Sequence, residues 1–251
     1  MGRLALLFAF LFATTACSTA KPKGQVVRLQ PDSAASAETP RETAKTTHVQ
    51  NGEKLYALPE GGEDAAVFHF SMGQAFSLDN DPLKAIESYR ATLAYDPKSA
   101  LVRSRLAAEL VKVGSFGEAK ALCEEAIKID PKYLDSYLLL AGIQVAAKEY
   151  EGAIKTYQQA LKVDPQSRDA LLYHGVTLAE VGKVKEGVAQ LERLVALKDA
   201  SDSSIDQSVA YYYLAKIYDQ AGQKEPAIKA LRASLKRRPG FSKAALALAD
   251  I

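Results

Sequence analysis

The chain has 251 residues, 48% hydrophobic and 25% charged, the balance of an ordinary folded protein and not of a disordered or multi-span membrane chain. Its 32 basic and 30 acidic residues leave a net charge of +2, so bulk charge offers no grip on nucleic acid. Two cysteines and three histidines exclude a disulfide framework and leave little material for a metal site.

Met1-Gly2-Arg3 is followed by a ten-residue apolar run, Leu4 to Ala13, and then by Thr14-Thr15-Ala16-Cys17. A mature membrane-spanning helix needs about 20 apolar residues, so the run is too short for one. A charged start, a short apolar core and small residues after it describe a secretory signal peptide over residues 1–16. Ala16-Cys17 resembles the bacterial lipoprotein signal, which implies that Cys17 is acylated and becomes the mature N-terminus. By the same resemblance, Ser18 implies sorting to the outer membrane of a Gram-negative cell, with the protein on its periplasmic face. Each buried acyl methylene contributes about 0.8 kcal/mol, so several chains anchor stably. With Cys17 lipidated, Cys123 is a lone thiol. Its helical setting among Ala119, Leu122 and Ala126 predicts a small buried residue and not a reactive one.

Residues 17–62 read as a tether. Ser, Thr, Ala, Pro and Lys dominate up to Thr47, without a lasting period, and such a stretch buries too little apolar surface to offset its ordering entropy. Leu55-Tyr56-Ala57-Leu58 is a brief apolar interruption before Pro59 and the Gly61-Gly62 break.

From Glu63 the chain repeats. Asp-Pro recurs at Asp96-Pro97, Asp130-Pro131 and Asp164-Pro165, 34 residues apart each time, and Pro239 follows 74 residues later. Two periods plus six residues account for that gap, and the polar stretch from Ala200 to Ile205 is where the extra residues fall. Small residues recur in step (Gly73, Ala107, Ala141, Gly175, Ala215), as do Ala85, Ala119, Ala153, Gly187 and Ala227. These positions, the interval and the closing prolines resemble the tetratricopeptide repeat. The resemblance implies an all-α, right-handed α-solenoid with one continuous core and units at about 66–99, 100–133, 134–167, 168–201 and 208–241. Residues 242–251 read as the first helix of a sixth unit, either a cap or the start of further repeats. Gly114, Gly182 and Gly222 fall at the turn between paired helices, where a positive φ ends the first helix.

Catalytic chemistry is not expected. No histidine pair has metal spacing, and no nucleophile elbow, P-loop or dinucleotide loop is present. His174 stands where other units carry Leu106, Leu140 and Leu214, and His69 aligns with Tyr137 and Tyr211, both packing positions. Neither a metal nor a cofactor is implied.

By resemblance to the repeat family, the first helix of each unit lines a concave groove for partner segments. The inward residues are then Phe70, Gln74, Leu101, Ser104, Asp135, Leu138, Asp169, Leu172, Val176, Tyr212 and Lys216, a mainly apolar row with sparse charge. The Lys, Asn and Arg cluster with which some family members clamp the C-terminal carboxylate of chaperones is missing. Lys229, Arg232 and Lys236 share one helix face near the end of the chain, which suits a solvated helix terminus or an anionic partner.

The expected role is that of a non-enzymatic scaffold anchored to the outer membrane, holding or assembling envelope proteins. The layout of lipid, spacer and repeats resembles pilotin-type lipoproteins of type IV pilus assembly. An alternative is the N-terminal part of a longer enzyme or peptidoglycan-linked protein; another is a cytosolic repeat adaptor.

Overall fold

Asp-Pro steps and recurring tight turns cut the repeating region into short helices of 8 to 17 residues, each too short to be stable alone and so dependent on its neighbours. A computed structural model describes residues 62–197 and 205–251. The expected signal peptide, Cys17, the tether up to residue 61 and residues 198–204 of the insertion lie outside the described residues.

Among those residues there are five helix pairs and a last helix, and the fold is an all-α solenoid. The pairs are α1 (Gly62–Leu78) with α2 (Pro82–Tyr95), α3 (Ala100–Lys112) with α4 (Phe116–Ile129), α5 (Leu134–Ala146) with α6 (Tyr150–Val163), α7 (Arg168–Glu180) with α8 (Val184–Ala196), and α9 (Gln207–Gln220) with α10 (Lys224–Arg237). Helix α11 (Ser242–Ala249) follows and packs on α10.

Each element starts and stops for a local reason. Ser99 and Ser167 cap α3 and α7, their hydroxyls accepting from the amides of Val102 and Ala170 at 3.3 and 3.2 Å. Asp96, Asp130 and Asp164 close the second helices. Their carboxylates accept from the amides of Lys98, Lys132 and Gln166, two residues on, while the intervening proline bars continuation of the helix.

The turn inside each pair is the same hydrogen-bonded motif five times over. In the second pair, the Gly114 amide donates to the carbonyl of Val111 (3.1 Å) and the Ser115 amide to that of Leu110 (2.8 Å). The motif needs a left-handed residue, and Gly114, Gly182 and Gly222 supply it with φ of 81°, 82° and 73°. The first and third pairs use Asn80 (φ 57°) and Lys148 (φ 62°) at that place. Spacing had pointed only to the glycines.

Small residues let the paired helices touch. Ala85, Ala107, Ala119, Ala141, Ala153 and Ala227 are fully buried, and Tyr89 and Tyr157 fill the space beside them at 1% exposure each. Cys123 holds the slot of those two tyrosines in the second pair; it is fully buried.

The core expected from the repeat pattern consists of four buried clusters joined through half-buried residues. One runs through the first two pairs into α5, two lie around α5 and α6, and the largest gathers α7 to α11. Half-buried Ile127, Leu138, Leu161 and Tyr173 are shared between clusters. Polar pairs also bridge neighbouring helices within these clusters. The hydroxyls of Ser104 and Ser136 meet at 2.5 Å between α3 and α5, and the Thr156 hydroxyl donates to Gln144 Oε1 at 2.8 Å between α6 and α5. Between α1 and α3, Glu109 is 3% exposed, and its Oε1 accepts from Ser77 (2.6 Å) and Lys112 (2.8 Å).

In the fifth pair, an ion pair replaces the Asp-Pro capping of the first three. Arg238 stands at the place of Asp96, Asp130 and Asp164 and pairs with Asp206, the residue whose carboxylate caps α9 through the Val209 amide at 3.0 Å. Arg168 donates to the carbonyl of Ile205 at 3.1 Å, tying α7 to the residues leading into α9.

Candidate functional site

First helices of successive pairs touch one another directly, α3 with α5, α5 with α7 and α7 with α9. Second helices make no comparable contacts with each other, so the stack curves towards the first-helix side and that side is concave. Residues of matched register therefore line up across it, one row per helix.

Most of the expected row lies on this surface. Phe70 is half-buried against the ring of Tyr89 (centroids 5.9 Å apart), Gln74 is exposed, and Leu101 is 38% exposed. Leu138 and Val176 are half-buried, their exposed edges facing out. Tyr212 stands edge-on to Tyr213 and Phe241 (5.3 and 5.4 Å), and the Lys216 ammonium lies 5.9 Å from its ring centre. Two expected members do not belong. Ser104, at 5% exposure, spends its hydroxyl on Ser136, and Leu172, at 2%, is packed in the α7–α11 cluster; neither offers surface to a partner.

Two residues the spacing missed do belong. Tyr173 and Tyr213 each follow an expected position by one residue, are half-buried, and share the surface with Val176 and Tyr212. Burial pushes the Tyr173 phenol up to about 12, with the charge of Asp169 and the neighbouring Tyr213 adding to it. Burial raises Tyr213 too, with Tyr212 beside it. Two adjacent aromatics on successive first helices are the visible trace in the sequence, Tyr173 being followed one unit later by the run Tyr211-Tyr212-Tyr213.

Carboxylates edge the same surface. Asp135 and Asp169 have one register on touching helices, and both keep exposed area. Protein packed on one side of Asp169 raises its pKa, its own amide opposes this, and the charge of Asp135 raises it further. Burial likewise raises Glu180. At the far end, burial and the nearby Lys243 lower Lys216.

The remaining candidates fall elsewhere. His174 is 4% exposed, has no hydrogen-bond partner on either ring nitrogen, and leans on Tyr157 at 6.3 Å. Burial and then Arg193 bring its pKa down to about 4, so it is a neutral core residue. His69 stacks on Tyr95 with centroids 5.8 Å apart. Lys229, Arg232 and Lys236 are exposed on α10, away from the row of first helices. Their neighbours Arg237 and Arg238 lie over Tyr211 and Phe241, at 5.7 and 4.8 Å.

Tetratricopeptide repeat models match residues 110–172 and 209–240. Over helices α4 to α6 and the fifth helix pair, the chain matches tetratricopeptide repeats. No catalytic family is indicated by these matches. Among solved structures, a tetratricopeptide repeat protein from Parabacteroides merdae superposes with a TM-score of 0.63 at 16% identity, covering 74% of this chain and 71% of its own. The repeat protein YrrB, described as having an unusual peptide-binding site, gives 0.55 at 20% identity, over 72% of this chain and 91% of its own. At these identities the likeness concerns the fold. A wheat (Triticum aestivum) Hsp70-Hsp90 organizing protein is 32% identical over 111 residues, 44% of this chain and 19% of that protein. The repeat-containing protein YpiA of Bacillus subtilis (strain 168) is 22% identical over 203 residues, 67% of this chain and 48% of its own. The chain thus spans less than half the length of these two relatives. Among the described residues, no helix is long and apolar enough to cross a membrane.

Proposed function

We propose that this protein is a non-catalytic scaffold whose concave face captures segments of partner proteins, and that Cys17 carries a lipid holding it on the periplasmic side of an outer membrane. The capture reading rests on one observation: a row of half-buried apolar and aromatic side chains, Leu138, Tyr173, Val176 and Tyr213 at its centre, keeps exposed edges on the side towards which the helices curve. Such edges suit an extended or helical segment whose side chains bury the rest of them. Support for the lipid anchor comes from the apolar run and Ala16-Cys17. With that anchor, the partners are envelope proteins, and a role in assembling envelope machinery of the pilotin kind follows.

Crosslinking and mass spectrometry on membrane fractions, comparing the native chain with Cys17→Ser, tests both halves. Capture of envelope components by the native chain alone supports the proposal. Both forms remaining soluble with cytoplasmic partners would support instead an adaptor reading, which the similarity to Hsp70-Hsp90 organizing proteins favours. Leu138→Asp should abolish capture with helicity intact. Charging Leu172 is no test, because it would break the core.

A further inference from the structure

The concave face is uneven in charge, and the unevenness selects among occupants. Helix α5 contains no basic residue. Helix α7 contains Arg168, which bonds to the Ile205 carbonyl, and the buried neutral His174. Against these stand three carboxylates, Asp135, Asp169 and Glu180, and among the described residues none of the three is in a salt bridge. Asp135 and Asp169 hold equivalent places on touching helices and act on each other as like charges; Asp169 has the half-buried ring of Tyr173 beside it, and Asp135 accepts from the Tyr133 hydroxyl at 3.3 Å. A cation placed between them would relieve that repulsion, and aromatic faces beside it would attract the same cation.

We propose that the middle of this face takes an extended segment carrying a lysine or arginine beside an aliphatic or aromatic residue. The cation sits between Asp135 and Asp169, and its neighbour packs on Tyr173, Val176 and Tyr213. The proposal rests on the capture reading above and specifies the chemistry of the captured segment. An acidic segment meets like charge at α5 and α7 and finds cations only to either side, at Arg105 on α3 and at Lys216 with Lys243 beyond α7. Partly exposed charges of this kind govern selectivity more than total affinity.

Three fluorescein-labelled decapeptides test this by anisotropy on the full chain. They have identical Leu and Phe content and differ in having Lys, Gln or Glu at the alternate positions. The Lys peptide should bind about tenfold tighter than the Glu peptide, and the difference should shrink as salt is raised. In the double variant Asp135→Asn, Asp169→Asn the preference should fall to about twofold or less, with the Gln peptide unchanged. Both sites are exposed, and circular dichroism confirms that the variant is folded. A Glu peptide that binds as well as the Lys peptide, or a preference that survives in the double variant, overturns the charge assignment. If all three bind equally and Tyr173→Ala weakens all three, the capture reading stands and this proposal falls. If none binds, both fall.

Discussion

Gly175 on α7 and Gly187 on α8 face each other with no side chain between them. A Cβ on Gly187 would lie 2.5 Å from the Gly175 carbonyl oxygen, and one on Gly175 would lie 2.9 Å from the Gly187 carbonyl oxygen. Other pairs hold alanine at one or both of these places, so the fourth pair is the one with no side chain at either. In the sequence it reads as the weakest repeat; in the structure its two backbones meet directly.

Gly187→Ala should therefore destabilise the protein, although alanine is the better helix former by about 1 kcal/mol. Overpacking against a backbone oxygen costs about 1–3 kcal/mol, since no flexible side chain can yield. Gly142→Ala is the control: nothing lies within 4 Å of its added carbon, and the variant should gain about 0.5–1 kcal/mol. Urea denaturation followed by circular dichroism measures both, and equal effects would contradict the packing account.

The two left-handed turn residues that are not glycine give a second expectation. Lys148 holds φ 62° in the third turn, a strained conformation for a residue with a long side chain. Lys148→Gly should raise stability by about 0.5 kcal/mol, the relief of strain exceeding the entropy lost with glycine. Asn80→Gly should be close to neutral, because asparagine tolerates this region. Gly114→Ala should lose about 1 kcal/mol in the same assay.

His174 makes stability depend on pH. Its folded pKa of about 4 lies below the usual histidine value near 6.5, so between those pH values the unfolded chain binds more protons than the folded one. Stability is full above about pH 6.5 and falls by about 2–3 kcal/mol as pH drops towards 4. His174→Leu should flatten that limb of the profile. It should also stabilise the protein at pH 7 by about 1–3 kcal/mol, since two buried nitrogens without partners disappear. A profile with the same slope in the variant would remove His174 as the cause.

Cys123 should be inert while the chain is folded. It is fully buried, and burial pushes its thiol up to about 12, with Glu124 adding to the effect. A disulfide reagent at pH 8 should label it only in denaturant, at the rate of global or local opening. Prompt labelling of the native protein would contradict this placement.

Features that depend on neighbours within one repeat were legible in the sequence. The spacing of Ala107 and Ala119, the turn at Gly114 and the Asp130-Pro131 stop are local, and the structure has them all. Features that depend on how repeats stack were not. Leu172 and Tyr173 differ by one residue, about 100° around a helix, and both are apolar enough for either side. Helices α5 and α7 are apolar around most of their circumference, so periodicity does not tell core from concave face there. Only the contact of α5 with α7 and of α7 with α9 decides that Leu172 turns inward and Tyr173 outward. The hydroxyl pair of Ser104 and Ser136 is invisible for the same reason, as its members lie 32 residues apart.

The division of the core into four clusters has a mechanical consequence. Stretched from its two ends, a solid with one interior yields once, but this stack has four interiors joined through a few half-buried side chains. Under rising load it would lengthen in steps, each marking the rupture of one cluster. The α7–α11 block, with the largest interior, would hold longest, and a load too small to unravel the whole would be absorbed by opening part of it.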